Sequence, residues 1–134
     1  MAVDLLKTLH QEFGFTDFRP GQLEVLTKLQ HGDDVFAILP TGGGKTLIYQ
    51  LFGKINSGTV VVVSPLISLM QDQVQRMQFL GEKRVVALTS TLSFFEKQTV
   101  LHHLSQYKYI YISPEMLSNP NVLEFFKKYR LDYL

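Results

Sequence analysis

The chain has 134 residues, 46% of them hydrophobic and 19% charged, with 13 Lys and Arg against 12 Asp and Glu and no cysteine. That length suits one domain with its own core, and the composition excludes intrinsic disorder. The lack of cysteine excludes a disulfide framework, a thiolate metal site and a cysteine nucleophile. A net charge of +1 excludes a bulk basic footprint, so any contact with nucleic acid has to be local.

In chain order, the segment from Met1 to Lys7 opens an amphipathic helix in which Val3, Leu6, Leu9 and Phe13 share one face. Nothing here reads as a signal peptide, and the longest apolar runs are strand-sized, too short to span a membrane. A second helix follows Pro20-Gly21, lined by Leu23, Val25, Leu26 and Leu29. Short β-branched or aromatic runs then alternate with helices. The strands predicted are Val35 to Leu39, Val60 to Val63, Val85 to Leu88 and Tyr109 to Ile112. Between them, Leu66, Leu69, Met70, Val74 and Met77 mark one helix, closed by Gly81. Phe94, Phe95, Leu101 and Leu104 mark the next, with Ser93 and Glu96 spaced as a capping box. Phe94-Phe95 and Phe125-Phe126 are expected to serve as core plus rim. The end of the chain, Leu131-Asp132-Tyr133-Leu134, reads as the opening of another buried strand.

Near-continuously apolar strands alternating with helices predict an α/β fold, a parallel sheet flanked by helices on both faces. Ligands of such sheets bind at the carboxyl ends of the strands. The first of those ends carries Leu39-Pro40-Thr41-Gly42-Gly43-Gly44-Lys45-Thr46, followed by a helical stretch. Successive glycines let the backbone turn its N–H groups toward one centre, and the next helix adds its positive end. Lys45 is then placed for the β- and γ-phosphates of a nucleotide and the Thr46 hydroxyl for Mg²⁺. The strict phosphate-loop pattern asks for glycine at position 39, where this chain has Leu39; the Pro-Thr-Gly-Gly-Gly-Lys-Thr form is the one used by helicases.

Upstream stands Phe13-Gly14-Phe15-Thr16-Asp17-Phe18-Arg19-Pro20-Gly21-Gln22. A Gln carboxamide pairs with the N6/N7 edge of adenine, and an aromatic ring or Arg plane beside it supplies stacking. Taken alone, the segment also reads as a connection between helices with core aromatics.

With these two motifs the chain resembles superfamily 2 helicases, most closely the RecQ family of DNA helicases. Phe18 to Gln22 is similar to that family's motif 0, and Leu39 to Gln50 to its motif I. Val61 to Val74, with Ser64-Pro65-Leu66, resembles motif Ia; Ser90 to Ser93 resembles the segment after the next strand, and Tyr111 to Glu115 motif Ib. The resemblance spans most of the chain and implies a RecA-like first motor lobe. It further implies that Phe15, Arg19 and Gln22 hold the adenine of ATP, and that Thr41, Gly42, Gly43, Gly44, Lys45 and Thr46 hold the phosphates and Mg²⁺. Lys45 is the catalytic candidate. Ser64, Pro65, Leu66, Ser113 and Pro114 are implied to lie along single-stranded DNA, where small hydroxyl residues and backbone N–H groups contact phosphates without reading sequence. Ser64-Pro65 equally reads as a plain strand-to-helix cap. Met116 stands where the family often has arginine, which weakens a phosphate site there.

Other clusters carry less. His102 and His103 are adjacent, point about 100° apart on a helix and lack a carboxylate at i+4, so a shared metal is not expected. Lys127-Lys128-Tyr129-Arg130 reads as a solvated helix face.

Phosphoryl transfer also needs a carboxylate for Mg²⁺ and commonly an arginine for the developing charge. The family supplies the carboxylates as Asp-Glu-x-His, and no adjacent Asp-Glu pair occurs in this sequence. The expectation is therefore a single partial ATP-binding lobe, residues 1–134. Helices in 1–31 carry adenine recognition, 35–134 forms the α/β core, and the chain stops just before the Asp-Glu motif. Its partners would be DNA and the remainder of the helicase, with no membrane. The parent would be a 3′-to-5′ unwinding enzyme of the cytoplasm, nucleoid-associated in a bacterium or nuclear in a eukaryote, and the piece alone inactive. The alternatives are a DEAD-box-type RNA helicase lobe, a small-molecule kinase and a nucleotide-binding or interaction module without catalysis.

Overall fold

A computed structural model of the chain describes residues 4–32, 44–56, 58–128 and 132–133. The predicted strand Val35 to Leu39, and with it Thr41, Gly42 and Gly43, lies outside the described residues, as do Val3, Tyr129 and Arg130. The chain forms two compact units, residues 1–57 and 58–134.

In the second unit the β-branched and aromatic runs pair as a parallel sheet. Strands β1 (Val60–Val63), β2 (Val85–Leu88) and β3 (Tyr109–Ile112) take the order β2-β3-β1, and β4 (Asp132–Tyr133) adds to the far side of β1. Asp132 and Tyr133 of the terminal run thus pair as a strand, while Leu131 and Leu134 lie outside the described residues. Val63, Ile112 and Leu88 lie level across the sheet, so the three longer strands end at one edge.

The middle strand, β3, is buried along its whole length because helices cover both faces. Ile110 and Ile112 enter one core with Leu101, Leu104, Val122 and Phe126, contributed by α5 (Phe94–His102), a 3₁₀ turn (Leu104–Gln106) and α7 (Pro120–Lys128). Tyr111 points the other way, its hydroxyl 3.6 Å from the sulfur of Met77 on α4 (Ile67–Phe79). Each large apolar side chain so covered is worth about 1.5–3 kcal/mol over leaving it in water. Thr59 donates to the Tyr107 carbonyl at 2.7 Å and Lys108 Nζ to the Gly58 carbonyl at 2.7 Å, tying together the entries of β1 and β3.

Helix faces follow the sequence pattern with three corrections besides Leu23, which was expected to line the second helix and is exposed. On α4 the buried residues are Met70 and Met77, while Leu69 is exposed and Leu66 precedes the helix, also exposed. That helix closes as expected at Gly81, whose φ of +105° lets Glu82 N–H reach the Met77 carbonyl at 2.9 Å. On α5 the buried residues are Val100 and Leu101, and Phe94 and Phe95 are both exposed rather than core and rim. They occupy the first two helical positions, a turn away from the buried face. The Phe125-Phe126 pair does divide between a half-buried and a buried ring.

The third correction is in the first unit. Helix α1 (Leu5–Thr8) runs directly into a π-helical turn (Leu9–Phe13), closed by Gly14 at φ +74°. Leu5 and Leu9 are the buried pair, and Leu6, expected inside, is exposed. Leu5 and Leu9 stand four apart, and this pair, rather than Leu6 and Leu9 three apart, faces the core. Leu5 and Leu9 pack with Leu26 of α2 (Gln22–Gln30) and with Ile48 and Leu51 of α3 (Lys45–Ile55). One small core thereby joins the helix after Arg-Pro-Gly to the helix that begins at Lys45.

Candidate functional site

Gln22 is the pivot of the first unit. It is the first residue of α2, entered through Gly21 at φ +88°, and only 1% of it is exposed. Its Oε1 accepts from the Arg19 backbone N–H at 2.8 Å, and its Nε2 donates to the Gly44 carbonyl at 3.0 Å. One carboxamide therefore joins the predicted adenine segment to the last glycine of the phosphate loop.

Gly44 has to be glycine on two counts. Its φ of +81° favours a residue without Cβ, and a Cβ there would run into the Gln22 carboxamide. Lys45 and Thr46 follow as the first turn of α3, with Lys45 exposed and Thr46 half-buried. The N-cap is Gly44, which has no side chain to bond the first N–H groups, and the positive end of the helix suits an anion. The donor set of Gly44, Lys45 and Thr46 thus fits a nucleotide phosphate with Mg²⁺. Thr41, Gly42 and Gly43 lie outside the described residues.

Phe15 and Arg19 are exposed on the same short segment, away from the core. That segment is braced from a side the sequence pattern did not reveal: His10 Nε2 donates to the Thr16 carbonyl at 2.7 Å. A six-residue reach from a helical turn has no periodic signature, although a His ahead of Phe-Gly-Phe is compatible with it. A hollow of about 380 Å³ opens beside the segment, lined by Arg19 with Phe18, Leu23 and Glu24, and it does not include Phe15 or Gln22.

In the second unit, the predicted DNA-facing residues follow β1 and β3 at the level edge. Ser64 Oγ accepts from the Leu66 N–H at 3.2 Å, folding the post-β1 loop, while Pro65 and Leu66 face solvent. Ser113 is 2% exposed, and its Oγ caps the short helix α6 (Pro114–Leu117) through the Met116 N–H at 3.4 Å. Pro114 is exposed beside it.

The post-β2 loop is also tightly built. Buried Thr89 bonds the Thr91 hydroxyl at 2.7 Å, and its carbonyl accepts from Leu92 N–H at 3.2 Å. The predicted capping box is present: Ser93 Oγ accepts from Glu96 N–H at 3.1 Å and Glu96 Oε1 from Ser93 N–H at 3.0 Å. The bond from the Ser93 backbone, with the Ser93 side chain adding, holds the Glu96 carboxyl below the usual carboxylate range.

His103 Nδ1 lies 2.7 Å from the Thr99 carbonyl, and the His102 ring meets Phe125 edge-on at 5.0 Å. Among the described residues no group of three His, Asp or Glu is placed to hold a metal ion, and no helix is long and apolar enough to cross a membrane.

Comparison with known proteins identifies the family. The profile of the DEAD/DEAH box helicase family matches residues 19–131. A probable ATP-dependent DNA helicase RecS of Bacillus subtilis is 52% identical over 120 residues, covering 90% of this chain and 24% of that protein. The ATP-dependent helicase SGS1 of Saccharomyces cerevisiae is 41% identical over 86% of this chain and 8% of its own length. The ATP-dependent DNA helicase RecQ of Haemophilus influenzae is 39% identical over 82% and 18%. The chain spans a quarter or less of the length of these relatives. The chain therefore belongs to the DEAD/DEAH box helicase family, and the relatives it resembles are of the RecQ type.

Proposed function

We propose that this chain is the nucleotide-binding part of the first motor lobe of an ATP-dependent DNA helicase. The observation that carries the proposal is the Gln22 carboxamide, bonded at one end to the Arg19 backbone and at the other to Gly44. Each end keeps spare capacity, one lone pair on Oε1 and one N–H on Nε2. Adenine requires both, its N6 amine donating to Oε1 and its N7 accepting from Nε2. Because Gln22 is buried, this contact requires the exposed Phe15–Arg19 segment to shift as the base enters, with Phe15 and Arg19 closing on its faces.

At the other end Lys45 and the first N–H groups of α3 hold the phosphates, with Thr41, Gly42 and Gly43 completing the loop. The Thr46 hydroxyl holds Mg²⁺, which when bound neutralises phosphate charge. Single-stranded DNA follows the level edge of the sheet along Ser64, Pro65, Leu66 and Pro114, with Ser113 shaping the loop from inside. In the whole protein this lobe works with the remainder of the helicase to unwind DNA in the 3′-to-5′ direction during repair and recombination, in the nucleoid or nucleus. Since no adjacent Asp-Glu pair occurs in the sequence, the chain alone binds nucleotide without turning it over.

Competition against a fluorescent ATP analogue tests the reading. Unlabelled ATP should displace the analogue at concentrations where GTP does not. Equal displacement by GTP removes the adenine assignment, and Lys45-dependent phosphate release by this chain contradicts its inactivity.

A further inference from the structure

Phe94 and Phe95 are 77% and 79% exposed, against 0–8% for the apolar residues of the core. Two phenyl rings left in water at adjacent positions forgo several kcal/mol of burial, about 1.5–3 for each. Their place in the fold gives them a use. Val63, Ile112 and Leu88 end their strands at one level, and β2 is the outermost strand of the order β2-β3-β1. With strands about 4.8 Å apart, the post-strand segments start within roughly 10 Å of one another. The row runs from Ser64-Pro65-Leu66, through Ser113-Pro114, to the loop that ends in Phe94-Phe95.

That loop is rigid. Buried Thr89 anchors it through Thr91 and Leu92, and the reciprocal Ser93–Glu96 bonds fix the start of α5. The rings are therefore presented from a preorganised base. Phe95 also walls an open groove of about 290 Å³ with Val86, Leu92 and Val100.

We propose that Phe94 and Phe95 form a stacking platform for unpaired bases of single-stranded DNA, extending the DNA-facing edge past β3 to the outer strand. The proposal rests on the DNA reading above and adds to it the recognition of base faces rather than phosphates. Apolar rings supply no charge, so the binding they add is sequence-tolerant and only weakly salt-dependent. This suits a chain with a net charge of +1, which has little electrostatic attraction to spare for DNA.

The test uses this chain and fluorescein-labelled oligothymidylate, alongside an oligonucleotide of the same length made of abasic sites. Normal DNA should bind on the order of 10- to 100-fold more tightly than abasic DNA, and Phe94→Ala/Phe95→Ala should erase the difference by weakening only the normal strand. Phe94→Trp/Phe95→Trp should keep the preference. Because the chain has no tryptophan, its new fluorescence should be quenched by the normal strand alone. Both positions are exposed, so unchanged circular dichroism is expected for each variant. If the wild type binds both strands equally, or the Ala variant keeps the preference, the platform is overturned while the DNA reading stands. If the wild type binds neither strand, the DNA reading and the platform fall together.

Discussion

The two candidate functional regions of this chain are built on opposite principles. In the first unit the residue that matters most, Gln22, is buried and bonded at both ends to the backbone it organises. At the strand-end edge of the second unit the backbone is braced from within by Thr89, Ser93 and Ser113, and apolar side chains are left facing water. A nucleotide site needs fixed polar partners at known separations, because an unpaired buried donor or acceptor costs about 1–3 kcal/mol. A surface for a chain of varied bases needs faces rather than partners. A buried carboxamide bonded at both ends and a pair of adjacent exposed phenyl rings are the features that set the two regions apart.

The largest effects should come from the cores beneath these regions. Leu26→Ala, in the α1–α3 core, and Ile110→Ala, in the central strand, should each cost about 2–5 kcal/mol in urea denaturation. Hydrogen exchange should show the first loosening residues of the first unit and the second the sheet. Identical exchange patterns would erase the division between the two regions.

Removing the pivot comes next. Gln22→Ala leaves the Arg19 N–H and the Gly44 carbonyl without their partner, for a loss of about 1–3 kcal/mol and of nucleotide affinity. Gln22→Glu keeps the acceptor for Arg19 but sets a carboxylate oxygen against the Gly44 carbonyl in a buried site, so at neutral pH its loss should be at least that of Ala. An Ala variant as stable as wild type contradicts the role of Gln22 as a strut.

Ser93→Ala should cost about 1 kcal/mol, seen as faster amide exchange at the start of α5. The smallest effect is in pH. The Glu96 carboxyl lies below its ordinary range in the folded chain, so its contribution is complete above the unfolded value of about 4.3. It is lost as pH falls through the lowered folded value. Protection of the α5 N-terminus should therefore decline in acid below about pH 4, and that decline should be smaller in Ser93→Ala.

Much of this was legible in the sequence, for identifiable reasons. The strands after the first declared themselves because β-branched and aromatic runs buried on two faces leave a continuous apolar signature. The Ser93–Glu96 cap was readable because its spacing is local. The α1 face was not, since Leu5 and Leu6 are adjacent and each has the helical spacing to Leu9, so the pattern alone does not choose between them. Phe94 and Phe95 were misplaced because hydrophobicity predicts burial, and exposure at a functional edge looks the same in a string of letters. At the site, the residue types at Arg19, Gln22 and Lys45 were evident. That Gln22 reaches Gly44, 22 positions away, and that His10 holds Thr16 are long- and middle-range contacts that no local pattern encodes.

The central claim is that the first unit holds ATP between Gln22 and the α3 N-terminus. Calorimetric titration of Mg·ATP into the wild-type chain and into Lys45→Ala tests it directly. Loss of a charged partner worth about 1.5–3 kcal/mol predicts saturable binding to the wild type, weakened on the order of 10- to 100-fold in the variant. Equal affinity in the two proteins, or no heat of binding in either, would contradict the account.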